Sequence, residues 1–173
     1  AMNSIKIFPG WTSKSYDGLK EGRRIRLDNK DLNTTNKNFP DHVIKAGATV
    51  YQGGVNLSFG PEYVNLNLSG VYPNHTEVEV VKLFKGRFIN EIDIKERRKV
   101  IVLHKKTAEI LFDKTHTDPI GQFVNAGNVV YQVVGLYNDK GDSGDSDAYL
   151  PFTTLQTIYN KGDKLNNLIM TTK

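Results

Sequence analysis

Apolar and polar residues alternate strictly in two neighbouring stretches, Val55 to Phe59 (VNLSF) and Tyr63 to Leu68 (YVNLNL), with Gly60-Pro61-Glu62 between them. A period of two puts successive side chains on opposite faces of a strand, so the pair predicts a β-hairpin with one core face and one wet face. Asn56, Ser58, Asn65 and Asn67 fall on the wet side. Earlier in the chain, Ile5 to Phe8 and RRIRL read as short strands. Asp28 with Asp31 predicts the start of a weak helix carrying Leu32, which must stop before Pro40.

The spacing then changes. Thr76 and Glu79 have the form of a capping box, and Val78, Val81 and Phe84 or Lys85 recur at helical intervals. Thr76 to Lys85 is therefore expected to be an amphipathic helix, with Gly86 as its left-handed C-terminal cap. KVIVLH is continuously apolar, as buried strands are, and runs into a helix from Lys105 to Phe112 with Ala108, Leu111 and Phe112 on one face. Phe123 to Asn125 and Val129 to Tyr137 predict a second hairpin about Ala126-Gly127-Asn128. AYLP reads as a strand, and Phe152, Leu155 and Tyr159 mark a last helix ending near Gly162. LNNLIMTTK reads as a final strand. Hairpins interleaved with isolated helices point to an α+β fold with mixed, largely antiparallel sheets and about three to four short helices. If the first and last strands pair, both chain ends leave the domain on the same side.

With 173 residues, of which 38% are hydrophobic and 24% charged, the chain has enough apolar material for a core. Its net charge is +4, and its basic clusters EGRRIRL and KERRKV lie far apart, the second without an aromatic. Nucleic-acid binding asks for clustered cations with interleaved rings, so that class is set aside. With no cysteine there can be no disulfide, thiolate metal site or Cys nucleophile. No apolar run reaches the roughly 20 residues of a membrane-spanning helix. Ala1 before Met2 and strand-like ends suggest a segment excised from a longer chain.

Chemistry-bearing motifs are scarce. There is no glycine-rich phosphate cradle and no G-x-S-x-G elbow, so neither a nucleotide cofactor nor a serine hydrolase is expected. His42, His75, His104 and His116 lack metal-ligand spacing, and no catalytic, cofactor or metal residue is assigned. Asp139, Asp142, Asp145 and Asp147 lie in an acidic loop whose uneven spacing does not match a calcium-binding loop. They read as a solvated loop and as candidates for a partner contact. In LFKGRFINEID, Arg87 follows the expected helix end, where a cation is favoured by the dipole and an anion repelled. Gly86, Arg87 and Asp93 are thus taken as structural, with Arg87 bonding the last helix carbonyls or pairing with Glu91 or Asp93. If the chain were instead a hydrolase, Asp93 with His104 or His116 would be its best acid–base candidates. A free-standing secreted ligand-binding domain is a further alternative.

The ordered features Gly70-Val71-x-Pro73, Leu83-x-x-Gly86-Arg87-Phe88, Asp93, Val100 to Leu103, Ala108-x-x-Leu111-Phe112, Pro119-Ile120-Gly121, Val133-Val134-Gly135 and AYLP resemble the extracytoplasmic core domain of MacB-like (FtsX-superfamily) ABC transporter permeases. His104 stands where that family usually has Gly, and residues 3–69 match more weakly. The resemblance implies a non-catalytic periplasmic domain of an inner-membrane permease, held between two transmembrane helices. It implies a membrane-proximal porter-like lobe, 3–70 plus 163–173 and incomplete at Lys173, and a distal inserted lobe (Sabre), 71–162. Its implied partners are a cytoplasmic ABC ATPase, fused or separate, a second permease copy, and a periplasmic adaptor or lipoprotein. Its implied task is to couple ATP-driven transmembrane motion to export or to a periplasmic partner, without a cofactor.

Overall fold

A computed structural model describes residues 4–7, 27–28, 43–78, 81–139, 147–159, 164–165 and 167–172. The strands are β1 (Ser4–Ile7), β2 (Leu27–Asp28), β3 (Val43–Phe59), β4 (Glu62–Val71), β5 (Val81–Gly86), β6 (Val100–His104), β7 (Phe123–Ala126), β8 (Val129–Asp139), β9 (Ala148–Pro151), β10 (Lys164–Leu165) and β11 (Asn167–Thr172). The α-helices among the described residues are α1 (His75–Val78), α2 (Glu91–Glu96), α3 (Lys105–Phe112) and α4 (Phe152–Ile158).

The sheet closes on itself. β3 pairs with β4, β4 with β9, β9 with β6, β6 with β8, β8 with β7, and β7 returns to β3. Only β4–β9 and β6–β8 are parallel. The result is a barrel-like ring, and closure protects strand edges that an open sheet would leave unpaired. Its interior holds Leu57, Leu68, Ile101, Leu103, Tyr131 and Leu150, all fully buried. α3 adds Leu111 and Phe112 to this core, with Phe112 against Phe59 at 4.4 Å between ring centroids. α4 adds Phe152 and Leu155, and its approach fixes Gly70: a Cβ there would lie 2.8 Å from Val50 Cγ2 and 2.9 Å from Leu155 Cβ. A helix packed that closely onto a strand tolerates no side chain.

β3 belongs to two pairings in turn. Its first part pairs with β11, with Lys45 opposite Thr171 and Thr49 opposite Asn167. From Val50 onward it pairs with β4, with an irregularity between Gln52 and Val55 where Gly54 takes φ 64°. A bulge of this kind redirects a strand, here from the terminal pairing into the ring. β1 runs antiparallel along β11, placing Ser4 opposite Thr171, so the first and last strands do pair. β2 and β10 form a separate two-stranded pairing.

The Val55–Phe59/Tyr63–Leu68 hairpin, the buried KVIVLH strand and the helix from Lys105 occur as the sequence predicts. The helix expected from Thr76 to Lys85 does not. Helix α1 spans only His75–Val78, and Val81–Gly86 is strand β5, hydrogen-bonded antiparallel to β8. Val81, Leu83 and Phe84 suit a pleated surface, and the exposed edge of β8 supplies backbone partners that helical spacing alone does not reveal. Glu79 of the expected capping box and the helix expected after Asp28 lie outside the described residues, apart from Asp28 itself in β2.

Candidate functional site

Strand β5 ends at Gly86 with φ 72°, a left-handed conformation that suits glycine. Gly86 is therefore a strand terminator here, and the helix cap and helix dipole expected at Gly86–Arg87 are corrected accordingly. The chain then crosses directly over β8: Arg87 N donates to Val134 O at 2.9 Å, and a Cβ on Gly135 would run into the Arg87 carbonyl.

This crossing sets Arg87 over Asp93. Arg87 Nη1 donates to Asp93 Oδ2 at 2.7 Å and Nη2 to Oδ1 at 3.2 Å, a two-pronged pair. Asp93 is fully buried, whereas the Arg87 side chain is 40% exposed. The same carboxylate accepts from Asn90 N at 3.0 Å, and Asn90 Oδ1 accepts from Asp93 N, a reciprocal capping box that starts α2. Arg98 Nη1 stands 3.9 Å from Asp93 Oδ1. Thr153 and Thr154 of α4 bond the carbonyls of Ile94 and Arg98, tying this clasp to the helix that plugs the barrel. Both oxygens of this carboxylate are thus engaged by donors of the protein itself.

The histidines are dispersed. His104 caps α3, its Nδ1 accepting from Lys106 N at 3.1 Å, and its ring meets Tyr137 edge-on at 5.0 Å. That cap is a task glycine, with no side chain, could not perform. His116 is exposed at φ 52°, His75 is buried at the start of α1, and His42 lies outside the described residues. Asp93 is engaged by Arg87 and Asn90, so the Asp93–His pairing of the hydrolase alternative gains no support. Among the described residues no cluster of His, Asp and Glu could hold a metal ion. Nor is any described helix long and apolar enough to cross a membrane.

Of the acidic loop, Asp139 ends β8 opposite Val81, and the Asp147 carbonyl accepts the Tyr137 hydroxyl, joining the two sides at the neck. Asp142 and Asp145 lie outside the described residues.

A second surface was only partly foreseen. Tyr63, Ser58, Asn125 and Val130 form one cross-strand row over β4, β3, β7 and β8. Asn56 faces Asn65 in the next row, and Phe123 faces Gln132 on the other side. Tyr63 is 67% and Phe123 58% exposed. None of these positions carries a charge. The alternation that put Asn56, Ser58, Asn65 and Asn67 on a wet face was legible, but the β3–β7 pairing that brings Phe123 and Asn125 beside them was not.

A family model, the MacB-like periplasmic core domain, matches residues 1–173. The chain belongs to that family. A MacB-like periplasmic core domain is a domain of an ABC transporter permease, and an extracytoplasmic one. The macrolide export ATP-binding/permease protein MacB of Rhodopseudomonas palustris (strain BisB18) is 25% identical over 172 residues, 97% of this chain and 25% of that protein. Its namesake from Bartonella henselae is 28% identical over 106 residues, 60% of this chain and 16% of that protein. The chain thus spans about a quarter or less of these relatives. Among solved structures, the periplasmic region of MacB from Actinobacillus actinomycetemcomitans superposes with a TM-score of 0.80 at 23% identity, over 99% of this chain and 75% of that one. The extracellular domain of the noncanonic ABC-type transporter YknZ from Gram-positive bacteria gives 0.76 at 22% identity, over 99% and 84%. At these identities the structures show a shared fold.

Proposed function

We propose that this MacB-like periplasmic core domain is the non-catalytic outer module of an inner-membrane permease, converting ATP-driven transmembrane motion into export or into action on a periplasmic partner. The observation that carries the reading is the β1–β11 pairing, which sets Ser4 beside Thr171 so that both described ends of the fold emerge together. Two ends leaving side by side suit a domain strung between two transmembrane helices that move relative to one another. The clasp of Arg87 on Asp93 and the packed barrel core, to which α3 and α4 contribute, would serve to keep the domain rigid during such transmission.

In this reading the terminal pairing of β1, β11 and the first part of β3 is the membrane-proximal stalk, and the barrel is the distal lobe. We draw the boundary within β3 at Val50 rather than after residue 70. The β3–β4 hairpin hydrogen-bonds to β7 and β9, both strands of the barrel. The cytoplasmic ABC ATPase, a second permease copy and an adaptor or lipoprotein are the partners. Asp139, Asp142, Asp145 and Asp147 mark the loop that meets the periplasmic one.

The test replaces residues 140–146 of the complete permease with a Gly/Ser linker, keeping Asp139 in β8 and the Asp147 carbonyl on Tyr137. Transport or adaptor capture should fall while basal ATP hydrolysis continues. Unchanged transport and capture would exclude the loop as the contact. Loss of ATP hydrolysis would show that the domain controls the ATPase rather than following it.

A further inference from the structure

We propose that the outer face of β3, β4 and β7 binds a neutral glycan strand. The face is made of amides, a hydroxyl and two exposed rings: Asn56, Asn65, Asn125, Ser58, Tyr63 and Phe123. Register places Tyr63, Ser58 and Asn125 side by side, with Asn65 and Asn56 in the adjoining row. Phe123 lies two strand spacings across from Tyr63 and two residues along, roughly 12 Å away. Two rings so separated can support different sugars of one chain.

The chemistry narrows the occupant. Asn side chains both donate and accept, as sugar hydroxyls do, so either partner's orientation can be matched. Aromatic rings offer flat apolar area at little entropic cost, suited to the C–H faces of pyranose rings. Anionic or cationic ligands would find no counter-charge, although Lys82, Lys85, Lys105 and Lys106 are all present on the β5–α3 side. A peptide adding as a strand is also disfavoured beside Ser58. β3 is hydrogen-bonded there to β4 on one edge and β7 on the other, so only side chains remain to read the ligand. The face occupies the hairpin end of β3, far along the strand from the residues that pair with β11.

The experiment is calorimetric and NMR titration of this chain with three hexasaccharides: an N-acetylglucosamine oligomer, a glucose oligomer and a sulfated oligomer. Saturable binding of a neutral oligomer is expected, and the first two arms decide between N-acetylated and plain glycans. Tyr63→Ala and Phe123→Ala should each weaken it at least tenfold with unchanged melting, Lys105→Ala should leave it intact, and raising salt from 0.15 to 0.5 M should have little effect because no charge participates. Amide shifts should centre on Tyr63, Ser58 and Asn125. Failure of both neutral oligomers to bind at millimolar concentration overturns the proposal, as does preference for the sulfated oligomer or binding insensitive to both ring deletions. It is equally overturned if Tyr63→Ala dissolves a self-association, for then a second copy is the occupant. Transport and ATPase outcomes for the loop variant above are independent of all these.

Discussion

On the β5–α2 side of the barrel, charged groups are turned on one another. Arg87 grips buried Asp93, Arg98 pairs with Glu96 at 2.7 Å, Lys85 with Asp118 at 3.0 Å, and Lys105 sits 4.7 Å from the Phe84 ring centroid. On the β3–β4–β7 side the outward positions Asn56, Ser58, Tyr63, Asn65, Phe123 and Asn125 carry amides, a hydroxyl and rings, and the Glu62–Lys114 pair at 3.0 Å lies at the hairpin end. The difference separates two uses of polar residues in one ring of strands. The first side consumes its hydrogen-bonding capacity in holding a chain crossing together. The second leaves that capacity directed outward.

If this contrast is right, substitutions on the clasp side should cost stability and those on the neutral side should not. The largest effect is expected at the crossing. Gly135→Val would drive a side chain into the Arg87 backbone, and about 3 kcal/mol should be lost, at the upper end for overpacking, as read by urea unfolding. A wild-type midpoint would show that Arg87 does not lie that close to β8. Next is Asp93→Ala, which strands Arg87 and the Asn90 amide. About 2–3 kcal/mol should be lost, the range for hydrogen bonds to a charged group, with Arg87's partial exposure keeping it below a fully buried pair. Arg87→Ala leaves Asp93 its Asn90 bond and the more distant Arg98, so about 1–2 kcal/mol is expected. A double-mutant cycle in which the two losses simply add would break the idea of a clasp.

The clasp also marks where reading the sequence succeeded and failed. Asp93 could be named, beside Glu91, as a partner of Arg87 because acidic side chains follow that cation closely in sequence, whereas the helix that Asn90 and Asp93 start was not read from it. The element before it was misread, because Val78, Val81 and Phe84 satisfy helical spacing while β5 owes its form to β8, some 50 residues away. Closure was illegible for the same reason. Nothing local in Phe123–Ala126 states that Ala126 faces Leu57. Patterns of period two and continuous apolar runs survive this difficulty, since β3–β4 and β6 bury the residues their own sequences mark as apolar. The ordered motifs from Gly70 to AYLP carried the family without needing the topology.

Smaller effects sharpen the contrast. Beneath both sides, burial pushes the Tyr131 phenol above its ordinary value, aided by the Tyr159 hydroxyl at 3.4 Å. A raised folded value means full stability below the unfolded value of about 10 and progressive loss as pH rises above it. Tyr131→Phe should therefore flatten the alkaline fall in an unfolding series, and an identical fall would place the titration elsewhere. On the neutral side, Tyr63→Ala and Asn125→Ala should change unfolding free energy by less than about 0.5 kcal/mol. A loss comparable with Arg87→Ala would mean that this face is structural as well.

If the proposed coupling holds, this domain moves with the nucleotide cycle of its permease. The chain has no cysteine, so Glu109→Cys on the exposed side of α3, in a permease whose cysteines elsewhere have been replaced, gives a single spin-label site per copy. The distance between the labels of two permease copies should be measured by pulsed electron resonance in the nucleotide-free and ATP-trapped states. Coupling predicts two distinct distance distributions, with the ATP-trapped one restored to the first on hydrolysis. A single distribution common to both states, in a preparation that still hydrolyses ATP, would contradict it.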